Sequence, residues 1–131
     1  MKRIINTSEA PAAVGAYSQA TTDGDTLFTA GQLPMTADGE PLDDAPIEVQ
    51  TRQSLENVKA ILEEEGLSMQ DVLKVTVLMD DIEEFDEMNS TYAEYFQNHY
   101  DLTMAGMRFF SVYQGYGGAE EHKGEYANTV A

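Results

Sequence analysis

The chain has 131 residues, of which 42% are hydrophobic and none is cysteine, and its 24 acidic side chains outnumber its 7 basic ones to give a net charge of −17. Such a negative surface repels nucleic acid and anionic membranes. The absence of cysteine excludes disulfides and thiolate chemistry, and no apolar run approaches the ~20 residues of a membrane helix. We therefore expect one cytoplasmic domain over residues 1–131, with no nucleic-acid or membrane partner.

The acidic residues are spread over the whole chain and do not form one tail. No segment has the residue pattern of a calcium-binding loop. The preferred interpretation is the surface of a protein from a saline habitat, where salt screens the repulsion between like charges.

Residues 15–32 predict a β-hairpin, and the rest of the chain is arranged around it. Asp23 and Gly24 supply the turn because both accept a positive φ. The first strand carries Tyr17, and the second ends at Gly31, where the lack of a side chain lets a ligand approach the backbone. A short strand at residues 2–5 and a loop at residues 6–14 precede the hairpin, and a second loop at residues 33–45 follows it.

Two amphipathic helices and a strand between them are predicted next. The first helix begins near Pro46 and ends at Gly66, the expected C-terminal stop. Residues 72–79 are rich in β-branched and large apolar side chains, which indicates a strand. Asp81 caps a second helix that runs to Phe96. This order predicts an α+β fold with both helices on one face of a sheet, and another copy of the chain covering the other face.

The last part of the chain is less regular. Residues 108–113 can form a strand, but the polar stretch after them shows no sustained alternation, so no final strand is predicted. Neither His99 nor His122 has a ligand-like partner nearby in sequence, and we expect no metal site. Arg108 lies beside two phenylalanines, where it can hold a carboxylate through two hydrogen bonds or form a salt bridge.

Several motifs resemble those of the RidA/YjgF family of reactive-intermediate (enamine/imine) deaminases. They fall in order and with the right spacing over about the first 100 residues, at 15–20, 29–34, 52–63, 72–81 and 85–96. The resemblance implies a chorismate-mutase-like fold with a mixed sheet and two helices on one face. It also implies a homotrimer with sites at the subunit interfaces. The implied reaction hydrolyses 2-imino acids, which PLP-dependent dehydratases release as enamines, to 2-oxo acids and ammonia without any cofactor.

The resemblance assigns Tyr17 and Gly31 to the substrate site, where Tyr17 is also a catalytic residue. The family's Pro-Ala-Arg motif aligns with residues 104–106, so Gly106 replaces the arginine that binds the substrate carboxylate. Arg108 lies two residues later, on the same side of a regular strand. It is therefore the candidate for both binding and catalysis, and Glu121 aligns with the catalytic glutamate.

Residues 103–131 depart from the family pattern, and several interpretations remain open. Arg108 can substitute for the missing arginine, with Glu125 instead of Glu121 as the carboxylate if the register shifts. The protein can also retain the fold as a non-catalytic trimer that binds small carboxylates or other partners, or act as an acidic chaperone-like protein. A frameshift near residue 101 would also explain why the family pattern is lost.

Overall fold

A computed structural model describes residues 1–96 with their side chains and, beyond them, the backbone of two strands. The helices and strands follow the order β1 (Arg3–Ile5), β2 (Ala20–Thr22), β3 (Leu27–Thr29), α1 (Ile47–Glu64), β4 (Val75–Met79), α2 (Phe85–Phe96), β5 (Phe110–Gln114) and β6 (Thr129–Val130). The fold is α+β, as the sequence predicts. No helix in the described part is long and apolar enough to span a bilayer.

The strands that the structure describes form two three-stranded sheets. β1, β2 and β3 make an antiparallel meander, while β4 lies between β5, which runs parallel to it, and β6, which runs antiparallel. β5 pairs with β4 from Val75 to Met79, whereas β6 pairs only with Val75 and Thr76. β5 confirms the strand predicted at residues 108–113, with slightly later bounds. The final strand, β6, was not predicted, because two residues are too few to show an alternating pattern.

The hairpin turn forms as predicted, with Gly24 at a φ of 101°. The Asp23 side chain accepts hydrogen bonds of 2.9 Å from the backbone N–H groups of Asp25 and Thr26, which hold the turn and lower the pKa of its carboxyl group. β2 begins only at Ala20, so Tyr17 lies before the strand and not within it. β3 ends at Thr29, two residues before the predicted strand end at Gly31, and within it Phe28 faces outward between buried Leu27 and Thr29.

Helix α1 buries its apolar stripe and ends at Glu64, with Glu65 as the C-cap residue and Gly66, at a φ of 76°, directly after it. Pro46 is the N-cap residue, just before the first helical position. The strand predicted at residues 72–79 is shorter in the structure, since a 3₁₀ turn at Met69–Asp71 precedes it. Asp81 caps another 3₁₀ turn, Ile82–Glu84, which leads directly into α2.

One hydrophobic core lies between the helices and the strands. It joins the inward side chains of both helices to those of the sheets, among them Leu55, Val58, Ile61, Met88, Phe96, Val75, Val77, Met79, Ala20 and Leu27. The helices therefore share one core with both three-stranded sheets, where the sequence predicted a single sheet. An ion pair of 2.8 Å between Arg3 and Glu65 joins β1 to the end of α1 and lowers the pKa of Glu65.

Candidate functional site

The base of the hairpin is held by one buried amide, that of Gln19. Its Oε1 atom accepts a hydrogen bond of 2.6 Å from the backbone N–H of Thr7. Its Nε2 group donates to the carbonyl oxygens of Thr7, Ala10 and Pro11 at 2.8–3.2 Å. The loop of residues 6–14 is thereby fixed against the hairpin. The sequence placed Gln19 on a strand but gave no indication of this role.

Tyr17 and Gly31 lie on the two chain segments that meet at this base. The backbone N–H of Ala30 donates a 2.8 Å hydrogen bond to the carbonyl of Gln19, so the ladder continues beyond β2 and β3. Tyr17 and Gly31 each lie within two residues of that bond. The side chain of Tyr17 is 53% exposed, and Gly31 is exposed as well. An exposed phenol and an exposed glycine backbone thus flank the same end of the hairpin.

The ring of Tyr17 lies over Gly15. A Cβ atom at position 15 would lie 3.3 Å from Cε1 of the ring, which is closer than an ordinary van der Waals contact. The glycine of the first motif therefore lets the ring fold back over its own backbone. The other predicted site residues, Arg108 and Glu121, lie outside the described residues, as do Gly106 and Glu125.

The segment after Gly31 is held against α1 by a second buried amide, that of Asn57. Its Nδ2 group donates hydrogen bonds of 3.2 and 2.8 Å to the carbonyls of Leu33 and Met35. Its Oδ1 atom accepts a 2.9 Å bond from Gln53. Asn57 interrupts the apolar stripe of α1. A polar residue at such a position is the sequence signal that could have predicted this contact.

A cleft of about 640 Å³ opens between this segment, α1, the end of β4 and the start of α2. Buried side chains, including those of Ser54, Val77 and Met88, form its floor. The exposed acids Asp43, Asp80, Asp81 and Glu84 line its rim. No feature of the sequence alone indicated this cleft, because its walls come from four separate segments.

The two helices are joined on their exposed side by polar contacts. Arg52 forms an ion pair of 2.7 Å with Glu94, and the hydroxyl of Tyr95 donates a 2.6 Å hydrogen bond to Glu56. Partial burial, together with the bond to Glu56, raises the pKa of Tyr95 to about 12. Arg52 is therefore engaged in holding the helices together.

The chain matches the family model described as Endoribonuclease L-PSP over residues 7–108. It belongs to this family. The Endoribonuclease L-PSP family is the one that the motifs predicted under the RidA/YjgF name. The matched range includes Tyr17 and Gly31 and ends at Arg108, so Glu121 lies beyond it.

Comparisons with individual proteins also support membership of the Endoribonuclease L-PSP family. A RutC family protein from Pyrococcus horikoshii is 50% identical over 96 residues, which cover 73% of this chain and 76% of that protein. A 2-iminobutanoate/2-iminopropanoate deaminase from Escherichia coli is 40% identical over 99 residues, or 76% of this chain and 77% of that enzyme. The crystal structure of E. coli TdcF with bound serine has a TM-score of 0.77 and 34% identity, covering 98% of this chain and 94% of that one.

Proposed function

We propose that this protein hydrolyses reactive 2-imino acids and their enamine tautomers to 2-oxo acids and ammonia. The observation that carries the proposal is the 40% identity to an enzyme named as a 2-iminobutanoate/2-iminopropanoate deaminase. The exposed Tyr17 and Gly31 support it, because a phenol and a glycine backbone are accessible at the positions that the resemblance assigns to the substrate site.

The reaction needs three functions from the chain. Arg108 binds the substrate carboxylate, and Tyr17 with the backbone at Gly31 orients the imine. Glu121 accepts a proton from water as the water oxygen bonds to C2, and the imine nitrogen takes up a proton to give a carbinolamine. The proton of the C2 hydroxyl then passes to the nitrogen, the C2–N bond breaks, and ammonia leaves as the C2 oxygen becomes a carbonyl. Neither a metal nor an organic cofactor takes part.

We further propose that three copies of the chain assemble into a cytoplasmic homotrimer of the chorismate-mutase-like class, with the sites between subunits. Support comes from the outward face of the meander. Ile4, Thr21 and Phe28 lie opposite one another on β1, β2 and β3. Ile4 is 63% exposed and Phe28 is 54% exposed, although both are large and apolar. Burial of this row against another subunit would remove apolar surface from water.

A coupled assay tests the activity. A threonine dehydratase generates the imine in molar salt, and semicarbazide traps whatever imine survives. We expect this protein to lower the trapped fraction. An unchanged fraction with folded, trimeric protein would contradict the proposal and leave the non-catalytic carboxylate-binding trimer in its place.

We predict that Arg108→Ala lowers kcat/KM at least about 100-fold, because two charge-assisted hydrogen bonds to the carboxylate are lost. The trimer should persist in this variant, as measured by light scattering. Arg52→Ala is the matched control, since it removes an arginine that pairs with Glu94, and we expect nearly wild-type turnover. Equal activity of the Arg108 variant and wild type would reject this assignment.

A further inference from the structure

The backbone at Gly15, in the segment before β2, does not itself require a glycine. The φ of Gly15 is not positive, in contrast to the φ of three other glycines in the described part of the chain. Replacement of a glycine by alanine at such a position restricts the unfolded chain and usually stabilises a protein. The reason for a glycine at position 15 therefore lies in what surrounds it.

A side chain at position 15 would meet the ring of Tyr17. The added Cβ atom would lie 3.3 Å from Cε1 and 3.4 Å from Cδ1 of that ring. Among the described residues, and apart from the chain neighbours of Gly15, no other atom lies within 4 Å of this position. A methyl group there would therefore push the ring away by a few tenths of an ångström.

Little else in the described part of the chain fixes the ring. Within residues 1–96, the phenol of Tyr17 has no hydrogen bond, and no backbone–backbone hydrogen bond reaches residues 12–18. The ring is also 53% exposed, so it can move without opening a cavity in the core. Its position thus depends on how closely it can approach the backbone of Gly15.

The loop that carries Tyr17 is anchored at both ends by Gln19. The Nε2 group of Gln19 donates a 2.8 Å hydrogen bond to the carbonyl of Pro11, and its own carbonyl accepts one of 2.8 Å from Ala30. Residues 12–18 therefore lie between two fixed points. Because this backbone is held, the exposed ring is the part that would yield to a new methyl group at position 15.

We propose that Gly15 is a positioning residue that determines where the phenol of Tyr17 meets the substrate. The inference rests on the proposed deaminase function, in which Tyr17 orients the imine. Reaction rates depend steeply on the alignment of the reacting groups. A change at position 15 should therefore alter turnover and leave the fold intact.

The substitution Gly15→Ala tests this role in an assay of imine hydrolysis with the full-length protein. We expect kcat to fall about tenfold while KM changes less than about twofold, because Arg108 still binds the carboxylate. The Tm should equal or exceed that of the wild type. A merely structural role would instead lower the Tm and leave kcat of the folded protein unchanged, which would overturn the proposal.

The matched control is the same substitution in a protein without the ring. Tyr17→Ala lowers kcat by itself, and adding Gly15→Ala to it should change kcat by less than about twofold, since the contact no longer exists. An equal loss of kcat in both backgrounds would mean that position 15 acts through another group, and would overturn the proposal. Wild-type kcat in Gly15→Ala would overturn it as well.

A nuclear Overhauser contact between the α-protons of Gly15 and the ring protons of Tyr17 tests the geometry without any substrate. We expect this contact in the wild-type protein and a change in the ring signals of Tyr17 in Gly15→Ala. An active wild-type protein without the contact would overturn this inference alone. A wild-type protein that shows the contact but hydrolyses no imine would overturn the proposed function, and with it the catalytic importance of Gly15.

Discussion

Two buried amides determine how the irregular segments of this small domain are placed. Gln19 makes four hydrogen bonds to the backbone of residues 7–11, and Asn57 makes two to the backbone of residues 33 and 35. A loop has many backbone groups that no helix or sheet can satisfy. A single buried amide can donate and accept hydrogen bonds to several of these backbone groups. The position of the loop then depends strictly on that one residue.

We predict that Asn57→Ala lowers the free energy of unfolding by about 2–4 kcal/mol, because two loop carbonyls lose their donor inside the protein. Urea denaturation followed by circular dichroism measures the change. Asn6→Ala removes an exposed asparagine and should stay within about 0.5 kcal/mol of wild type. Equal midpoints for the two variants would show that the contacts to Leu33 and Met35 contribute little.

The phenol of Tyr95 makes stability depend on pH in the alkaline range. Its pKa is about 12 in the folded protein, above the ordinary value of 10.0. The folded state thus holds this proton more tightly than the unfolded chain does. The resulting stabilisation is fully present below about pH 10 and is lost as the pH rises towards about 12.

We therefore predict that Tyr95→Phe reduces the fall in Tm between pH 9 and pH 11.5, since phenylalanine has no proton to lose. Thermal melts of both proteins at the two pH values give the comparison. The difference in Tm at pH 8 corrects for the lost hydrogen bond to Glu56. Parallel curves for the variant and wild type over the whole range would argue against this linkage.

The roles of single residues were the hardest to predict from the sequence. The motifs identified Tyr17 and Gly31, and both are exposed in the structure, but their roles stay predictions. Gln19 was on the predicted hairpin, but its partners are backbone groups of another segment, which no side-chain pattern reveals. The roles of Arg108 and Glu121 stay predictions.

For helices, strands and turns, the sequence signals that lie within a few neighbouring residues gave reliable predictions. The Asp23-Gly24 turn, the stop of α1 just before Gly66 and the apolar stripe of α1 all follow from backbone sterics and helical periodicity. The 3₁₀ turns at Met69–Asp71 and Ile82–Glu84 were not predicted, because a single turn has no period to detect. The same limit explains the missed strand β6.

We predict that Gly66→Ala destabilises the protein by about 1 kcal/mol, because a side chain is strained at a φ of 76°. No atom lies within 4 Å of the Cβ position, so the cost is conformational and not steric crowding. Gly66→Asn should lose less, since asparagine tolerates this conformation better. Chemical denaturation of the three proteins measures both effects, and equal losses for alanine and asparagine would contradict the explanation.

For the whole molecule, the main feature is the difference between the two faces of the sheet. One face lies under the helices and contributes to a continuous core. The other carries the row of Ile4, Thr21 and Phe28 on its outside. The sequence predicted this asymmetry from the number and order of elements, because two helices on a sheet of this size cover one side only.

We predict that Phe28→Asp converts the proposed trimer into monomers, because a charge on the exposed row cannot be buried between subunits without a partner. Light scattering coupled to size-exclusion chromatography measures the mass. Val49→Asp changes a similarly exposed apolar residue on α1 and should leave the mass unchanged. A trimer that survives Phe28→Asp would place the subunit contact elsewhere.

The bonds of Gln19 tie the loop of residues 7–11 to the hairpin, whose Ala30 N–H donates to the carbonyl of the same residue. We therefore expect the loop to lose its conformation when the hairpin opens. In hydrogen exchange, the N–H of Thr7 should then open together with the hairpin as one cooperative unit, although it belongs to no helix or strand.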